Sequence, residues 1–176
     1  TTLLLRLALL YILWFLCRIV FYLQNAGLVG PLEWNEIPGL LRGAGMFDTA
    51  SILYVNALFI LLSLLPFRFR ERKGYQRMLL WLYSTVNGIA LAINLSDGIY
   101  FHYAQKRFTA DELSYLGNND NTGTVVLKAM AENWYVVLLA AALIFGLVRC
   151  YRRIRFAPAQ RGGWRYFLAN LGILAA

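Results

Sequence analysis

The chain has 176 residues, 60% of them hydrophobic and only 15% charged, and the apolar residues come in long blocks, which excludes an ordinary soluble core built from short periodic segments. The formal charge is +8, but the basic residues sit in short connections between apolar blocks with no recognition motif, so membrane topology explains them and no nucleic-acid partner is expected. Two cysteines, Cys17 and Cys150, fall in the first and fourth blocks and give no disulfide framework.

The first block, residues 2–23, carries Arg6 near its start and Arg18 well inside it. It is too long and too charged for a cleaved signal peptide, and no small-residue cleavage site follows. The expectation is a span entering from the cytoplasm, with Arg6 snorkelling back to that surface and Arg18 needing either the opposite surface or a partner. In residues 24–47, Pro31 and Pro38 break the chain, and Glu33, Glu36 and Arg42 interrupt the apolar positions. That segment reads as an outer connection containing a short helix in the membrane interface.

Residues 48–65 form the second predicted span, closed by Pro66 and followed by Arg68, Arg70, Arg72, Lys73 and Arg77. Roughly 20 residues at about 1.5 Å rise cross the hydrocarbon. Basic loops stay on the cytoplasmic side, which places Asp48 outside and the arginine-rich end inside. The third span, 78–97, returns outside. The polar connection after it contains Thr109-Ala110-Asp111-Glu112, a helix-start pattern, and Asn118-Asn119-Asp120-Asn121-Thr122-Gly123, a turn-forming run.

A helix from Thr124 to Glu132 leads into the fourth span, 134–149, where Ala142 and Gly146 are spaced for close helix approach. Arg149, Arg152, Arg153, Arg155, Arg161 and Arg165 then make a second basic cluster. Eleven of the 17 lysines and arginines lie in the two inner loops, which gives a cytoplasmic N-terminus. Residues 164–176 read as a fifth span that is incomplete at Ala176, and the first residue is not methionine, so the chain is expected to continue outside the membrane. The predicted fold is an all-α polytopic membrane helix bundle of five spans, the fifth truncated, with short interfacial helices in the outer loops.

Helical spacing gathers the polar residues on faces. Asp48, Ile52, Asn56 and Ser63 share one side of the second span; Asn87, Asn94 and Asp97 share one side of the third. Asp48, Asn56, Asn87, Asn94 and Asp97, with Arg18, fall in the outer half of the membrane. Unpartnered polar groups in hydrocarbon are costly, so these faces turn toward each other or toward a cavity. Two readings follow. In one, Arg18 pairs with Asp48 or Asp97 and the asparagines bridge helices. In the other, Arg18, Asp48, Asn56, Asn94, Asp97, Tyr100 and Arg107 form an outer pocket for a lipid headgroup, rimmed by Phe101, His102, Tyr103, Lys106 and Phe108. His102 is the only histidine, and no catalytic or metal motif accompanies it, so this stretch carries no catalytic residue and no metal site.

Gly45-Met46-Phe47-Asp48 running into Tyr54-Val55-Asn56-Ala57-Leu58, then Asn94-Leu95-Ser96-Asp97-Gly98-Ile99-Tyr100-Phe101, then Lys106-Arg107-Phe108-Thr109-Ala110-Asp111-Glu112-Leu113 resemble the N-terminal membrane domain of lipoteichoic-acid-synthase-like proteins, membrane-bound members of the sulfatase and alkaline phosphatase superfamily. Met46 stands where that family's pattern has an arginine. The resemblance implies five spans in a bacterial cytoplasmic (inner) membrane, followed after Ala176 by an extracytoplasmic catalytic domain. That domain would use a threonine nucleophile and a divalent metal (Mn, Mg or Zn) to transfer phosphoglycerol or phosphoethanolamine, or to hydrolyse sulfate or phosphate esters. The expected partners are a membrane phospholipid and that catalytic domain. A non-catalytic membrane regulator or lipid sensor, or a small transporter, is the alternative.

Overall fold

In the computed structural model, residues 2–65, 68–107, 109, 122–154 and 172 are described, and among them every regular element is helical. The helices are α1 (Thr2–Val29), α2 (Ile37–Val55), α3 (Ala57–Leu64), α4 (Lys73–Ala104), α5 (Thr122–Glu132) and α6 (Trp134–Arg153), with a 3₁₀ turn at Arg68–Glu71 before α4. Three helices, α1, α4 and α6, are long and apolar enough to cross a membrane; α2 and α3 make a fourth span if the bent pair is counted as one. The proposed fifth span, the Thr109–Glu112 helix start and most of the Asn118–Gly123 turn lie outside the described residues.

The spans differ from the sequence reading at their ends. α1 continues six residues past the predicted 23 and stops at Gly30, whose φ of +82° suits glycine and whose N–H bonds the Ala26 carbonyl at 3.0 Å. α4 begins five residues before the predicted start and runs seven past the predicted end, to Ala104.

The larger correction concerns residues 24–47. Instead of a separate interfacial helix, residues 37–47 run straight into the predicted second span as the first part of α2. Pro38 does not break it, because it occupies the first turn, where no intrahelical N–H is needed. The break comes at Asn56, inside the predicted span, where α2 and α3 meet at 63°.

Asparagine marks every such break. Asn25, Asn56 and Asn133 have non-helical backbone angles, and each side-chain amide donates at 3.0 Å to the carbonyl four residues earlier, on Phe21, Ile52 and Ala129. Such local bonds compete with the helical ladder. Asn87 makes the same bond to Tyr83 at 2.8 Å without breaking α4, which is packed between α1 and α6.

Neighbours fix the directions. Arg6 lies beside Tyr83 and Asn25 beside Gly98, so α1 and α4 run the same way. Asn56 faces Asn87 and Phe59 faces Tyr83, while Tyr151 also meets Tyr83 and Ile144 meets Gly88, so α2–α3 and α6 run the opposite way. The arginines at the start of α4 and at the end of α6 therefore lie at one end of the bundle.

The core is built of Leu10, Ile52, Leu91, Leu147 and an aromatic group, Phe59, Tyr83 and Tyr151, with ring centroids 4.9–6.3 Å apart. Leu5, Ile12, Ile19, Leu58, Leu61, Ile89, Ile93, Leu138 and Phe145 point outward on all sides, a surface suited to lipid and not to water. Among the described residues no helix packs on the predicted Ala142/Gly146 pair: Ala142 is exposed and a methyl added at Gly146 would meet nothing within 4 Å. Close approach of α4 and α6 occurs instead at Gly88, against Ile144.

Candidate functional site

At the end opposite the arginine clusters, two ion pairs sit side by side. Asp48 is buried on α2, and Arg18 of α1 grips it with two nitrogens, Nε to Oδ2 at 3.1 Å and Nη2 to Oδ1. A fork-to-carboxylate contact of this kind fixes geometry as well as charge. Two turns before Arg18 on α1, Tyr11 donates at 2.9 Å to the hydroxyl of Thr49, the residue next to Asp48, so α1 is fastened to this part of α2 from two heights.

The second pair depends on how α4 ends. Gln105 adopts a left-handed backbone with φ 51°, and its N–H bonds the Phe101 carbonyl at 2.9 Å. That reversal carries Arg107 back along the helix, where its Nε donates to Asp97 at 2.6 Å. The Asp97 side chain is 9% exposed and that of Arg107 53%. The Arg107 guanidinium also lies over the Phe21 ring, 4.9 Å from its centroid. Arg18 and Phe21 are three residues apart on α1, about 4.5 Å of rise, which makes the two pairs neighbours. Nearer that end of the bundle Asn25 donates to the Gly98 carbonyl at 3.0 Å, and Phe21 meets Phe101 edge-on at 5.1 Å.

Deeper in the bundle, Asn56 and Asn87 exchange amide bonds. Asn56 Nδ2 donates to Asn87 Oδ1 at 3.0 Å, and Asn87 Nδ2 to Asn56 Oδ1 at 2.7 Å. Both are fully enclosed. No family model, curated protein or solved structure matches the chain.

Of the seven residues singled out from the sequence, four thus form two ion pairs, Arg18–Asp48 and Arg107–Asp97, and Asn56 forms an interhelical tie with Asn87. Asn94 and Tyr100 are half-buried on α4, and Asn94 makes no hydrogen bond among the described residues. His102 is exposed, with its ring edge-on to Tyr103 at 5.6 Å. Among the described residues no three His, Cys, Asp or Glu side chains gather as a metal would require.

Two polar side chains escaped the sequence reading, and a third was placed differently. Asn25 lies beyond the predicted end of the first span, yet is buried between α1 and α4. Gln24 beside it has both amide atoms buried without a partner among the described residues. Arg6, expected to snorkel to the surface, is only 5% exposed: its Nη2 reaches the Ile154 carbonyl at 3.4 Å and its guanidinium stacks on Tyr151, 3.8 Å from the ring centroid. The aromatic face at the end of α6 draws the guanidinium inward, where the ring shelters it and one carbonyl accepts from it.

Proposed function

We propose that this chain is the membrane domain of a bacterial envelope enzyme of the lipoteichoic-acid-synthase-like kind, with five spans and a cytoplasmic N-terminus. In this reading it anchors an extracytoplasmic phosphoglycerol or phosphoethanolamine transferase, or a sulfatase-like hydrolase, and offers it a phospholipid. The divalent metal and the catalytic groups belong to that outer domain.

The observation that carries the reading is the shared end of the two arginine-rich connections, around Arg72 and Arg153. Basic connections stay in the cytoplasm, so the Arg18–Asp48 and Arg107–Asp97 pairs sit toward the outer leaflet. Lipid presentation is supported by the attachment of Arg107. Its tie to Asp97 runs through Nε, and the half-exposed guanidinium can turn its terminal nitrogens to a phosphate. Arg18, Asp48 and Asn56 hold the helices that frame that position, and Asn94 and Tyr100 lie on one of those helices.

The test uses the chain together with whatever follows Ala176, reconstituted in vesicles with a fluorescent phospholipid donor. Arg107→Ala and Asp97→Ala are each expected to lower donor turnover at least about tenfold, the effect of losing one charge-assisted hydrogen bond. Unchanged turnover at normal expression refutes the headgroup role. If the downstream residues lack a threonine nucleophile and metal-binding acids, the protein is instead a non-catalytic membrane regulator or lipid sensor.

A further inference from the structure

The other end of the bundle holds a cavity of about 560 Å³ between α1, α4 and α6. Its size falls within the roughly 300–1,000 Å³ of small-molecule sites. Arg6, Arg77 and Arg152 line it, along with Ser84, Tyr151 and Trp81. None of its lining residues is acidic, and none of the three arginines has a carboxylate partner among the described residues.

Arg6 decides what such a cavity can take. It is more than nine-tenths buried, and its Nε has no hydrogen-bond partner among the described residues; the same holds for the hydroxyl of Tyr151, also more than nine-tenths buried. A stacked ring and one long bond to a carbonyl are small compensation for a full charge taken out of water. Arg77 and Arg152 add like charge at the exposed mouth of the same cavity. An anion relieves both conditions, and a phosphate offers acceptor oxygens to a guanidinium in a matching fork.

We infer that this cavity binds the phosphate headgroup of an anionic phospholipid in the leaflet at the arginine-rich end. The apolar part of the wall decides between a lipid and a free anion. Trp81 is largely exposed beside the cavity, with Leu80 and Val148 next to it, and an acyl chain leaving the headgroup would lie along them. Basic pockets between membrane helices recognise anionic headgroups by this combination. The site is separate from the Arg18 and Arg107 pairs and does not depend on the function proposed for them.

Native mass spectrometry of the full chain, purified in detergent and titrated with lipid, tests the inference. Phosphatidylglycerol is expected to be retained saturably and phosphatidylcholine not. Arg77→Gln/Arg152→Gln, at two exposed positions that leave the core alone, is expected to weaken retention about thirtyfold. Lys128→Gln, on the exposed face of α5, is expected to leave it unchanged. Equal retention of the two lipids, equal loss in Lys128→Gln, or no loss in the double variant would overturn the inference. Displacement of the lipid by millimolar inorganic phosphate would show that a soluble anion is the ligand, and would overturn it too.

Discussion

The Asn56–Asn87 pair is expected to dominate the stability of the inner bundle, and a double-mutant cycle measures it. An interhelical hydrogen bond within a membrane contributes about 0.6 kcal/mol on average and about 1.7 at most, so two reciprocal bonds amount to ~1–3 kcal/mol. Replacing one asparagine by alanine also leaves the other amide enclosed and unpaired, at ~1–3 kcal/mol more. Each of Asn56→Ala and Asn87→Ala should therefore lose ~2–6 kcal/mol. In the double variant no amide is left behind, so its loss should fall ~2 kcal/mol or more short of the sum of the singles. Equilibrium unfolding in mixed micelles, followed by helix content, gives all four corners of the cycle. If the two losses add to within ~0.5 kcal/mol, the amides are not coupled and the tie between α3 and α4 has been misread.

Other substitutions test the packing and the orientation. Arg18→Gln should cost ~2–3 kcal/mol, because it leaves the enclosed Asp48 carboxylate without its forked donor, and Arg18→Gln/Asp48→Asn should recover part of that loss in a thermal melt. Gly98→Val should cost ~1–3 kcal/mol by the same measurement, since its side chain runs into the Gln24 amide and Phe21. Gly88→Ala should be accepted and stabilise by up to ~1 kcal/mol, because the added methyl meets Ile144 at an ordinary 3.8 Å. In a Cys17→Ser/Cys150→Ser background, Gln105→Cys should react with an impermeant reagent from outside intact cells while Arg72→Cys and Arg153→Cys stay protected; the reverse pattern inverts the orientation.

The sequence makes the long spans easy to find and their joints hard. Uninterrupted apolar runs mark α1, α4 and α6, and the polar faces follow from helical spacing, which is why Asp48, Asn56, Asn87 and Asp97 all prove to be buried. Pairings across helices are less visible. Arg18 with Asp48 was one of two partners within reach, and spacing alone had no means of choosing.

The bend was missed because Asn56 carries neither the fixed angle of proline nor the freedom of glycine, while the glycines at 39, 43 and 45, which look like breakers, are all helical. Local preference yields to packing in such segments. Arg6 was misjudged for a different reason: its partners, Tyr83, Tyr151 and Ile154, lie far along the chain, where no local pattern points to them.

The shelter around Arg6 has a consequence for the order in which the bundle is built. α1 leaves the ribosome long before Tyr151 and Ile154 exist, so its guanidinium must wait at the headgroup level, where water can still solvate it. Only when α6 arrives does a ring close over the charge and a carbonyl accept from it. The later helix therefore seals the earlier one, and truncation before residue 151 should leave a chain that inserts but fails to settle, open to the quality-control proteases of its membrane.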